Sequence, residues 1–103
     1  MPDPRIWPVQ GATDGFTAVG AVSTQVLAAN PNRVDAEFVN DSDQVIYLGR
    51  GNAAVIGSGI RLNANGGSYG ISTTNLFLGA INAIADIGEQ ETANLAWSEG
   101  NKP

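Results

Sequence analysis

The stretch Arg33-Val34-Asp35-Ala36-Glu37-Phe38-Val39-Asn40 puts Val34, Ala36 and Phe38 on one side and Asp35 and Glu37 on the other. A period of two belongs to a pleated strand with one face buried; a helix would repeat its apolar residues every 3.6. The same alternation recurs along the chain. Ile60, Leu62 and Ala64 alternate with Arg61 and Asn63, and Tyr69 and Ile71 are in phase. Ile81, Ala83, Ala85 and Ile87 share a side, with Ile84 the exception, and Ala93, Leu95 and Trp97 do the same. Gln44–Gly49 is apolar on both faces, as a central strand would be. Ser23–Ala29 alternates less cleanly and ends in the turn signal Asn30-Pro31-Asn32. A helix over Leu76–Ile87 competes, because Ile81, Ile84 and Ile87 also fit a three-residue spacing; Gly79 and Gly88 leave only a short run, which favours a strand. Seven to eight short strands with frequent turns predict an all-β fold, a small antiparallel β-sandwich or jelly roll. We assign it to residues 16–100, with an extended arm over 1–15 and a tail over 101–103.

At 103 residues the chain makes one domain with one modest core, and its 43% hydrophobic content is that of a globular chain. It has no cysteine and no histidine, which removes thiolate nucleophiles, disulfides, Ser-His-Asp triads and nearly every zinc site. No enzymatic activity and no cofactor are therefore expected. A net charge of −5 repels phosphate backbones, so nucleic acid is not expected as a direct partner. Neither a signal peptide nor an apolar run long enough to cross a bilayer is visible, so no membrane partner is expected.

The first fifteen residues differ from the rest. Pro2, Pro4 and Pro8 favour an extended arm over a helix or an inner strand. Ile6 and Trp7 within it are bulky and apolar. They either fold back onto the domain or dock, with Pro8, on a neighbouring subunit as an aromatic anchor.

Gly49-Arg50-Gly51-Asn52-Ala53-Ala54 comes after a strand signal and has the G-x-G-x-x-A spacing of a dinucleotide loop. Such a loop must open a helix, yet Gly57 and Gly59 interrupt the next few residues, and no acidic residue occurs between Asp43 and Asp86. The only lysine is Lys102, which excludes a P-loop. These glycines read as corners. Asn65-Gly66-Gly67 reads as a hairpin turn with positive φ. Asn40–Asp43 offers oxygen ligands but lacks the spacing of a calcium loop, so it reads as a turn and no metal is expected. Glu89 and Glu91, on one strand face with Asp86 near, are the carboxylate pair that remains as a catalytic possibility, and they read as a solvated acidic edge. Among the aromatics, Phe38 and Trp97 fall in inward phase; Tyr47 and Tyr69 are candidates for surface recognition.

Several landmarks run together: Val26-Leu27-Ala28-Ala29-Asn30-Pro31, Asn40-Asp41-Ser42-Asp43 before Ile46-Tyr47-Leu48, Gly59-Ile60-Arg61-Leu62 leading to Gly66-Gly67-Ser68-Tyr69 and Ile71, and Gly79-Ala80-Ile81-Asn82-Ala83-Ile84. From Ser23 to Trp97 the chain resembles small virion structural proteins of tailed bacteriophages. The resemblance implies a compact β domain on a capsid or tail. The expectation is a decoration or cement protein on the outer capsid surface, made in the host cytoplasm and bound to the major capsid protein. It is expected to be a homo-oligomer, a trimer being what capsid symmetry invites. The alternative is a tail or head-fibre module that recognises host-surface carbohydrate, which exposure of Tyr47, Tyr69 or Trp97 would favour. An enzyme built on Glu89 and Glu91 comes third.

Overall fold

The computed structural model describes residues 11–88 and 90–102. They form eight strands: β1 (Gly11–Val19), β2 (Thr24–Leu27), β3 (Arg33–Asn40), β4 (Ile46–Arg50), β5 (Ile60–Leu62), β6 (Ser68–Ile71), β7 (Ile81–Ala85) and β8 (Ala93–Asn101). Among the described residues there is no helix, which excludes the helical reading of Leu76–Ile87. Two four-stranded sheets, ordered β1-β8-β3-β6 and β2-β7-β4-β5, face each other as a small β-sandwich; we term them sheet A and sheet B. Every pairing is antiparallel.

The pairing is nested. β1 pairs with β8, β2 with β7, β3 with β6 and β4 with β5, so the chain is one long hairpin rolled up until β3 meets β8 and β4 meets β7. Only the β4–β5 connection stays within one sheet. The alternation explains why the roll closes. Val34, Ala36 and Phe38 from sheet A, and Ile46, Leu48, Ile81, Ala83 and Ala85 from sheet B, are all buried between the sheets. β4 lies between β7 and β5, the central place its two apolar faces predict. The weaker alternation of β2 has a cause: its register with β7 shifts between Gln25 and Leu27.

Two expectations need correction. Gly11–Gly15, placed in the arm, belong to β1 and pair with Asn101 to Trp97 of β8; likewise Asn101, placed in the tail, is the last residue of β8. Gly-Ala-Thr-Asp-Gly carries no apolar alternation, and its strand conformation is imposed by the partner. The turn at Asn65-Gly66-Gly67 is not a hairpin, because β5 and β6 lie in different sheets. It is a corner, with Asn65 at φ 60° and Gly66 at φ 113°. The corner is bonded to the β3–β4 turn: the Gly66 N–H donates to the Asn40 carbonyl and the Asn65 N–H to the Ser42 carbonyl. Arg33, on which the sequence carried no expectation, is out of phase with Val34, Ala36 and Phe38 yet is buried, because the β3–β8 register shifts between Arg33 and Asp35. A bulge of this kind re-aims a side chain that strict alternation would send to solvent.

The Gly49–Ala54 string ends in a loop that folds back. Asn82 Nδ2 donates to the Asn52 carbonyl (2.7 Å) and the Ala54 N–H donates to Ser23 Oγ (2.8 Å). The loop therefore crosses the outer face of β4, where a Cβ on Gly49 would stand 2.7 Å from the Asn52 oxygen. Gly49 is glycine so that backbone can lie on backbone.

Candidate partner-binding surface

The molecule's polar interior is closed on itself. Arg33 is 1% exposed, and every one of its nitrogens has a partner. Nε bonds Glu99 Oε2 at 2.6 Å, Nη1 donates to the carbonyls of Phe77 (2.8 Å) and Gly79 (2.9 Å), and Nη2 donates to the Ala28 carbonyl (2.8 Å). A planar guanidinium suits such a fan of acceptors. It ties the β6–β7 connection and the end of β2 to β3 and β8, binding the two sheets at one end. Asn40 performs a smaller version at the other end. Its Nδ2 donates to the carbonyls of Gln44 (2.6 Å) and Leu62 (3.1 Å), and its Oδ1 accepts from Ser42 Oγ (2.6 Å). Asn40 is therefore a turn cap, as expected for that segment. Among the described residues no group of three or more His, Cys, Asp or Glu is placed to hold a metal ion.

The outer face of sheet A is different. Phe16, Ala96, Val39 and Ser68 stand in one cross-strand row, and Asp14, Ser98, Glu37 and Gly70 in the next. Phe16 is 72% exposed. Beside it runs a shallow groove of about 340 Å³, lined by Asp14, Gly15, Glu37, Val39, Ala96, Trp97 and Ser98. Ser98 donates a hydrogen bond to Asp14, which fixes that carboxylate at the groove. An apolar floor with carboxylate and hydroxyl acceptors along it suits a partner that presents an apolar face edged by donors. A sugar ring has that form, and so does a protein surface bearing Lys or Arg.

The sequence candidates do not converge there. Tyr47 lies on the outer face of sheet B, half-buried in a row between Ile84 and Arg61. Tyr69 points the other way: it pairs with buried Phe38, ring centroids 6.5 Å apart, and packs on the core. The two tyrosines thus belong to different sheets and opposite sides of them. Trp97 also packs on the core, beneath Gly15, with its Nε1 donating to Thr17 Oγ1 at 3.2 Å. Glu91 is exposed in a turn, its N–H bonded to the Gly88 carbonyl, so the premise of a strand-borne carboxylate pair fails for it. Glu89, and the arm residues Ile6, Trp7 and Pro8, lie outside the described residues.

Phe16 is the residue that sequence reasoning passed over. The signal was present: Phe16 is three positions from Val19, so a strand that buries Val19 must turn Phe16 outward. Other large apolar side chains are exposed in loops: Val22 after β1, Val55 and Ile56 on the loop over β4, and Leu76 and Leu78 before β7.

No protein-family model matches the chain, and neither a curated protein nor a solved structure does.

Proposed function

We propose that this chain is a non-enzymatic virion structural protein of a tailed bacteriophage, a decoration or cement protein on the outer capsid surface that binds the major capsid protein and stabilises the particle. The strand order carries the reading. The orders β1-β8-β3-β6 and β2-β7-β4-β5, with nested pairs, are those of a rolled-up hairpin, and they support reading the sandwich as a jelly roll. That architecture recurs in viral capsid and lectin domains. Fold alone does not fix function. The choice between those two settings rests on surface chemistry and on the resemblance of Ser23–Trp97 to phage virion proteins. The acidic charge favours a position outside the shell, away from packaged DNA. The Pro-rich arm, with Ile6, Trp7 and Pro8 as anchor, lashes the domain to its neighbour, and the chain forms homo-oligomers.

The second reading, a tail or head-fibre module for host-surface carbohydrate, is favoured by one observation: exposed Phe16 flanks a groove edged by Asp14, Glu37 and Ser98. Saturation binding to capsids built from the accompanying major capsid protein tests the first reading. Full-length chain, residues 11–103 and Trp7→Ala are compared, since truncation at residue 11 leaves β1 whole. Many copies bound per shell, lost with the arm or with Trp7, is the expected result. No capsid binding, together with a defined signal on a glycan array that Phe16→Ser abolishes, overturns it in favour of the second.

A further inference from the structure

We infer that β1 is a dimerisation edge: two copies join β1 to β1 antiparallel about a two-fold axis, with Phe16 facing Phe16 of the second copy. The sandwich has four edge strands, and three are blunted. β5 has three residues. β2 has four and a register shift. β6 has four, and its edge is occupied by Asn75, whose Nδ2 donates to the Gly70 carbonyl at 2.8 Å.

β1 has none of these protections. It holds nine residues in unbroken register with β8, about 30 Å of strand at ~3.3 Å per residue. It carries no Lys, no Pro and no bulge, the devices that keep an open edge from pairing. Residues 11–14, 16 and 18 are exposed.

The occupant is set by chemistry. The arm is a poor strand partner, because Pro2, Pro4 and Pro8 have no N–H to donate. A second β1 is self-complementary, as a two-fold interface requires. Centring the pair on Phe16 sets the two exposed rings side by side on one face, a favourable cross-strand pair. It also sets Asp14, the strand's one charged residue, opposite Ala18 of the second copy. The two Asp14 residues then stand four positions apart, about 13 Å, beyond the ~8 Å screening length of physiological salt. Centring on Gly15 instead would press Asp14 against the opposite Phe16. The result is one eight-stranded sheet with a continuous outer face, and it assigns two-fold rather than three-fold symmetry to the free protein.

The natural chain has no cysteine, so a single introduced one reports cleanly. Sedimentation velocity from 1 µM to 1 mM is run on the full chain, on Phe16→Lys and on Val22→Lys, with a thermal melt of each. The wild type and Val22→Lys should show a reversible monomer–dimer equilibrium, and Phe16→Lys should weaken it at least tenfold while melting normally. Oxidative cross-linking of Phe16→Cys should give dimer; Val55→Cys should not. A monomer at every concentration overturns the inference. So does a trimer, an open-ended oligomer, or a dimer that cross-links through position 55 rather than 16. Because the test uses no capsid, its failure is separate from failure of the cement reading.

Discussion

Sheets A and B bury matching inner faces but treat their outer faces in opposite ways. Over sheet B the chain doubles back: the loop after β4 lies on Gly49 and is bonded to Asn82 and Ser23. Both edges of that sheet are short. Over sheet A nothing of the described chain is laid down across Phe16, Val39 and Ala96, and its β1 edge runs nine residues. One sheet covers part of its exterior with its own backbone, and the other leaves its exterior open. In a protein this small the asymmetry is informative, because an exposed aromatic beside an open edge invites unwanted association unless a partner takes it.

The shared interior should be indifferent to which sheet is touched. Phe38→Ala on sheet A and Leu48→Ala on sheet B, both essentially fully buried, should each cost about 2–5 kcal/mol by chemical denaturation. Next comes the clamp between them. Arg33→Ala strands Glu99 and three carbonyls and should cost about 3–5 kcal/mol, as for a broken buried ion pair. Arg33→Lys keeps the charge without the fork and should recover only part of that. If Arg33→Ala melts like wild type, the sheets are not held together there.

The outer faces should then separate. Gly49→Ala places a Cβ 2.7 Å from the Asn52 oxygen and should cost about 1–3 kcal/mol, because the loop must lift. Gly70→Ala, on sheet A, meets nothing within 4 Å and should be neutral or stabilising by up to about 1 kcal/mol. Equal effects of the two would erase the distinction. Smallest of all, Phe16→Ser should leave the stability within about 0.5 kcal/mol of wild type, since its ring is already in water. Its effect belongs to association.

How much of this was legible depends on which residues obey strict alternation. β3, β4, β7 and the first half of β8 announce themselves, because each buries one residue in two or, for β4, sits between neighbours. The start of β1 does not, since Gly11–Gly15 takes its conformation from Trp97–Asn101 across the sheet. Arg33 was illegible for another reason: a register shift is a property of two strands, and no single stretch displays it. The turn at Asn65-Gly66 was legible as local conformation but not as topology, because positive φ is equally at home in a hairpin and in a corner. The surface at Phe16 was legible only by counting back from Val19. For the tyrosines residue type alone gave no place: the sheets set Tyr69 against the core and Tyr47, half-buried, on the outer face of sheet B.

On the reading proposed above, it is sheet A, the side left open, and not sheet B that meets the capsid. Single cysteines at Val39 and Ser68 on sheet A and at Val55 on the loop over sheet B can be labelled with a maleimide, with and without saturating capsids. The account predicts that labelling at 39 and 68 slows at least tenfold on the shell while labelling at 55 keeps its rate. Protection at 55 with free access at 39 and 68 would contradict it.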